Sequence, residues 1–160
     1  MSKIIDVDTG DVKFGTSESI LRSVAIGSCI AIAAYNRQNK TCAMAHVMLP
    51  GRAPENSPYP TRYTEDAVDK LLELLNGSAL DSSDIEACIV GAGNVLQKED
   101  DTICDSNIKS VNQALKKRNI PVRASSLGGT IRRSIAMDVE TGKVCFSEGG
   151  GQEKELWKPA

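Results

Sequence analysis

Apolar positions along this chain fall into short runs broken by Gly, Pro, Asn and Asp, with two longer stretches of helical spacing. Residues 4–7 and 12–14 are short strand candidates around the turn Asp8-Thr9-Gly10-Asp11, and residues 17–23 are locally ambiguous. From Ile26 to Pro50 two apolar strands flank the polar turn at 36–40, and Pro50-Gly51 closes the unit. Prolines 54, 58 and 60 and few large aliphatics make 52–63 an extended surface loop. Thr64 suits a helix N-cap, with Glu65 and Asp66 in the first turn. Ala67, Val68, Leu71, Leu72, Leu74 and Leu75 form its apolar stripe, and Asn76-Gly77 supplies a stop.

The second half reads in the same way. Residues 85–90 form a buried strand running into Gly91-Ala92-Gly93-Asn94. A second helix starts after Asp105-Ser106, with Ile108, Val111, Ala114 and Leu115 on one side and Lys116, Lys117 and Arg118 at its end; Pro121 bars continuation. Strands follow at 122–125, at 134–139 beyond Gly128-Gly129, and after the turn at 140–142 through Phe146. A triglycine and charged tail from about 149 reads as mobile. Two helices and about eight strands, with strands adjacent in sequence at both ends, predict an α+β fold rather than alternating α/β.

The length of 160 residues fits a single domain, 1–160. A net charge of −2 with mixed signs argues against a general nucleic-acid binder and against an electrostatic membrane anchor. No apolar run approaches the ~20 residues of a membrane span, and the N-terminus lacks a signal-peptide core. The expected location is the cytoplasm.

Chemistry narrows to one stretch. The five cysteines, at 29, 42, 88, 104 and 145, show no Cys-x-x-Cys pair, so neither a disulfide framework nor a zinc cage is expected. Cys42, Cys88 and Cys145 sit in apolar strands, and Cys104 lies beside Asp101 and Asp105, a poor place for a thiolate. Cys29 follows Gly27 and Ser28, whose backbone can turn tightly and offer N–H groups to a reacting carbonyl. His46, the single histidine, lies on the partner strand. In a simple hairpin Cys29 pairs near residue 47, so a bulge or a diagonal contact is needed to bring thiol and imidazole together. Ser23 is a candidate third member that orients the histidine. By residue types alone, a packed core histidine competes with catalysis. Gly91-Ala92-Gly93 superficially matches a dinucleotide loop but lacks the third glycine, and no cofactor or metal is expected.

The order of motifs resembles the CheD family, the chemoreceptor glutamine deamidases. The resemblance is carried by Gly27-Ser28-Cys29, by Met44-Ala45-His46-Val47-Met48-Leu49-Pro50, and by the helix from Tyr63 to Leu75. Further along it is carried by Gly91-Ala92-Gly93-Asn94, Ile108 with Asn112, Ile120-Pro121-Val122, Leu127-Gly128-Gly129 and Thr141-Gly142-Lys143-Val144. It implies a mixed sandwich, largely of antiparallel sheets with helices packed outside, similar to toxin-type glutamine deamidases. It also implies a cysteine amidohydrolase with Cys29 as nucleophile, His46 as catalytic histidine and Ser23 where the family usually has threonine. The implied partners are chemoreceptor cytoplasmic helices and a CheC-type phosphatase; binding to these in place of turnover is the rival reading. A thiol redox protein is a weaker one, since no resolving cysteine neighbours Cys29 in sequence. Two departures stand out: Ser126 where the family has aspartate, and Arg132 where it has glycine.

Overall fold

The computed structural model describes residues 2–76 and 84–160. Ten strands and two α-helices follow in the order β1 (Lys3–Asp6), β2 (Val12–Phe14), β3 (Ser19–Ile26), β4 (Ile30–Asn36), β5 (Thr41–Val47), α1 (Thr64–Asn76), β6 (Ile85–Gly91), α2 (Ile103–Lys117), β7 (Val122–Leu127), β8 (Arg133–Asp138), β9 (Val144–Glu148) and β10 (Lys154–Trp157). They build two five-stranded sheets, β1-β3-β8-β9-β10 and β2-β5-β4-β6-β7. Both sheets are mixed, mostly antiparallel, with β1–β3 and β6–β7 as parallel pairs. The expected α+β sandwich is the observed fold. No helix among the described residues is long and apolar enough to cross a membrane.

Strand β4 explains the layering. All seven of its residues are buried, because its two faces serve two different cores. Ile30, Ile32 and Ala34 point toward Ala67, Val68 and Leu71 of α1 and Val111, Ala114 and Leu115 of α2. Ala31, Ala33 and Tyr35 point into the space between the sheets, against Leu21, Ile135 and Met137 of the other sheet. The two helices are joined at the surface by Arg118, which donates to Glu65 and Asp69.

Several boundaries differ from the sequence reading for physical reasons. The ambiguous segment is β3, since residues 19, 21 and 23 bury alternate side chains and pair with both β1 and β8. Strands β1 and β2 do not form a hairpin. They belong to different sheets, so the turn after Val7 carries the chain across the sandwich. Helix α2 begins at Ile103, ahead of Asp105-Ser106, because Cys104 and Asn107 extend its buried stripe by one turn. Thr64 is buried and donates to Leu49 O rather than capping the helix with its oxygen. The stop expected at Gly77 lies outside the described residues. Beyond the triglycine, the segment expected to be mobile pairs with β9 as β10, and Trp157 meets Tyr35 edge-on at 6.2 Å between ring centroids.

Candidate active site

The β4–β5 hairpin turns through residues 37–40. Asn36 Oδ1 accepts from the N–H groups of Gln38 and Asn39, and Asn36 pairs with Thr41. The turn's centre therefore lies between residues 38 and 39 rather than on 38. That half-step corrects the register by one: Ile30 faces Val47, and Ala31 faces His46. Cys29, in the bend just before β4, is two positions from Ala31 and so projects to the same side of the sheet as His46, diagonally across the hairpin. No bulge interrupts this pair, so only a diagonal contact is left to bring thiol and imidazole together. Among the described residues no hydrogen bond joins them directly.

Ser23 and His46 do meet. Ser23 Oγ lies 2.8 Å from His46 Nδ1 and 2.5 Å from Val7 O, and Nδ1 is 3.3 Å from the same carbonyl. The hydroxyl has one proton, and the carbonyl can only accept. Ser23 therefore donates to Val7 O and accepts from Nδ1–H, which leaves the Nε2 lone pair of neutral His46 as the free proton acceptor. A bulge in β3 sets this up. Ser23 pairs with Ile135 and Ile26 with Arg133, so one extra residue occupies β3. Val24 and Ala25 are pushed outward, Ala25 at φ 52°, while Ser23 and Ile26 both face inward.

The loop at 27–29 is pinned at three successive carbonyls. Gly27 O accepts from Gly93 N at 2.9 Å, Ser28 O from Asn107 Nδ2 at 2.9 Å, and Cys29 O from Ala92 N at 2.8 Å. Gly91, at φ +136°, permits the last contact, since a Cβ there would lie 2.2 Å from Cys29 O. Gly27, Ser28 and Cys29 line a cleft of about 330 Å³ together with Asn94, Leu96 and Arg132. Arg132 is exposed there, whereas Arg133 is buried and donates to Ser126 Oγ, Gly91 O and Gly128 O. The serine at the first departure is thus part of the loop's internal bonding, and the arginine at the second faces the cleft.

Two residues near Cys29 escaped the sequence reading. Thr9 lies in the turn that crosses between the sheets, and its hydroxyl acts on the Cys29 thiol, pulling it down. Nothing local marks it. Asn107 is wholly buried on α2 beneath the loop. Its signal was available: Cys104, Asn107, Val111 and Ala114 share one helical stripe, and a polar residue inside such a stripe needs a reason.

Burial raises the Cys29 thiol above its ordinary range, with the Thr9 hydroxyl pulling partly the other way. Burial likewise lowers His46, opposed by the Val7 carbonyl and by the charges of Asp8 and Asp11. The resting pair is therefore thiol and neutral imidazole rather than a preformed ion pair. Cys104 lines the same cleft, but burial and then Asp101 push it up to about 12, so it stays protonated. Cys42 and Cys88 are buried hydrophobes, both raised to about 12, chiefly by burial.

Known proteins place this chain in a family. The model described as "CheD chemotactic sensory transduction" matches residues 48–148. A probable chemoreceptor glutamine deamidase CheD of Chlorobium luteolum is 32% identical over 150 residues, covering 93% of this chain and 75% of its own. The chemoreceptor glutamine deamidase CheD of Thermotoga maritima is 30% identical over 157 residues, covering 98% of each chain. With a family match across most of its length and relatives aligned nearly end to end, this chain belongs to the CheD family.

Proposed function

We propose that the protein is a chemoreceptor glutamine deamidase, hydrolysing selected receptor glutamines to glutamates with Cys29 as nucleophile and His46 as acid–base. The observation that carries this is the Ser23–His46 contact, which aligns a neutral imidazole on the same sheet face as a cleft cysteine. Candidate acid–base contacts are often long in a free enzyme and tighten with substrate, so a diagonal pair suits the role.

The chemistry follows from the protonation states. As Cys29 Sγ attacks the glutamine Cδ, its proton passes to His46 Nε2, and the amide oxygen takes up negative charge. Backbone N–H groups of the Ser28-Cys29 segment stabilise that oxyanion. Collapse breaks the C–N bond, His46 returns the proton, and ammonia leaves. A water then gives a proton to His46 and attacks the thioester, releasing glutamate and restoring the thiol. Ser23 keeps the imidazole in the tautomer these transfers need. Water is the sole co-reactant, and the steps require neither metal nor cofactor.

The test is mass spectrometry of a receptor cytoplasmic fragment incubated with the wild-type protein and with Cys29→Ala. The amide-to-acid mass increment should appear with the first and be absent with the second. Its persistence with Cys29→Ala would sink the mechanism.

One observation favours a binding role beside turnover. Leu96 at the cleft is 75% exposed and nearby Ile131 is 47% exposed, an apolar rim suited to a protein partner such as a receptor helix or a CheC-type phosphatase. If binding is the cellular task, cells carrying Cys29→Ala adapt normally; if turnover is, they do not.

A further inference from the structure

We infer that Asn107 is a positioning residue that holds the Ser28–Cys29 peptide so that the Cys29 N–H is presented to the reacting oxygen. This rests on the deamidase reading of the cleft. Asn107 Nδ2 lies 2.9 Å from Ser28 O and 3.1 Å from Met48 O, so its two amide protons bridge the entrance of β4 to the exit of β5. Both partners are carbonyl oxygens, which only accept; the side-chain amide is therefore oriented with its nitrogen toward them. Its Oδ1 is buried without a partner among the described residues. Asparagine is thus a costly choice for a wholly buried helix position, because its unpaired oxygen gives up water and gains no partner. Packing alone would favour an apolar side chain like its neighbours Val111 and Ala114 in the stripe. The use of its two donors is what distinguishes this residue.

Peptide planarity carries the consequence to the sulfur. In a trans peptide the N–H of residue 29 points opposite to the C=O of residue 28. With Ser28 O held toward Asn107, the Cys29 N–H faces away from α2, and no acceptor engages it among the described residues. The carbonyls on either side are held by Gly93 and Ala92, so this plane cannot rotate independently. Asn107 closes the remaining freedom. A donor fixed beforehand at the nucleophile's own amide costs no reorganisation when charge develops on the substrate.

The test separates oxyanion chemistry from mere integrity of the fold. Wild type, Asn107→Ala and the near-isosteric Asn107→Asp are compared for deamidation of the receptor fragment, for alkylation of Cys29 by iodoacetamide, and for melting temperature. Alkylation displaces iodide and generates no oxyanion, so it reports the thiol alone. The expected result is a fall in kcat of ~100-fold with KM and the alkylation rate held within ~3-fold. An unchanged kcat overturns the inference, as does a parallel fall in alkylation. Failure of both variants to fold also overturns it, assigning Asn107 to stability. If wild type alkylates but leaves receptor glutamines intact, the deamidase reading fails by itself. The clamp is then scored with p-nitrophenyl acetate, whose acyl transfer to Cys29 does pass through an oxyanion, against the same alkylation control.

Discussion

Ser23 Oγ and His46 Nδ1 lie 2.8 Å apart although they belong to opposite sheets. The contact exists because Val7 O accepts the serine proton at the point where the chain leaves β1 for the other sheet. Replacing Ser23 by alanine removes the nearer acceptor of Nδ1–H, but Val7 O at 3.3 Å remains to hold the same tautomer. We expect Ser23→Ala to lower kcat by ~10-fold, about the worth of one hydrogen bond, while Cys29→Ala abolishes turnover. Steady-state kinetics on a receptor fragment checks this. A Ser23→Ala loss as large as that of Cys29→Ala would show that the serine does more than orient.

Among the described residues, the Thr9 hydroxyl is the side-chain group that pulls the raised Cys29 thiol back down. Thr9→Val keeps the shape and removes the donor. The alkylation of Cys29 by iodoacetamide should then need a higher pH, with a rate at neutral pH lower by ~10-fold, as befits loss of a hydrogen bond to a charged group. An unshifted pH–rate curve would remove Thr9 from the site.

Gly91 has to be glycine twice over, by its positive φ and by the approach of Cys29 O. Gly91→Ala should cost well over ~1 kcal/mol and lower the melting temperature, because the strain cannot be relieved without moving the Cys29 loop or β6. Activity should fall further than stability does. A fully active, equally stable Gly91→Ala protein would mean the loop tolerates displacement.

His46 sets an acid limit on stability. Its folded-state value is depressed, mainly by burial, so the unfolded chain binds more protons than the folded one once pH drops below about 6.5. Stability is therefore fully present above that pH and is lost as pH falls toward the depressed value. Urea unfolding across this range should show the loss, and His46→Gln, which cannot titrate, should flatten it. Glu65 and Asp69 titrate in a separate, lower window. Burial raises both, but hydrogen bonds and charge from Arg118, together with Lys117 at Glu65 and Arg52 at Asp69, outweigh it and leave them below the usual carboxylate range. Their contribution is lost only in stronger acid. A decline that survives unchanged in His46→Gln would shift the cause from His46 to another group.

The apolar spacing of α1, the two hydrophobic strands flanking the turn at 36–40, and the family motifs around Cys29 and His46 were legible from residue order alone. These depend on neighbours three or four apart on a helix, or two apart on a strand, so local periodicity carries them. What lay beyond reach was set by pairings far apart in the chain. Strand β3 was ambiguous because its partners are β1 and the distant β8, and β10 looked like a loose tail because only β9 turns it into an edge strand. The hairpin register hung on half a residue in the position of its turn, which a count of residues cannot settle and the Asn36 side chain does.

The candidate site divides in the same way. Residue order alone put Cys29 and His46 on the two arms of one hairpin and offered Ser23 as a third member. Packing alone brings Ser23 to His46 across the sandwich, sets the Thr9 hydroxyl to act on the Cys29 thiol, and seats Asn107 on the Ser28 carbonyl. Each of those contacts joins segments whose separation along the chain has no periodicity to reveal it. They are fixed by how two sheets and the helices pack around the two cores that meet at β4, and by the bonds from Gly93, Asn107 and Ala92 that hold the loop at 27–29.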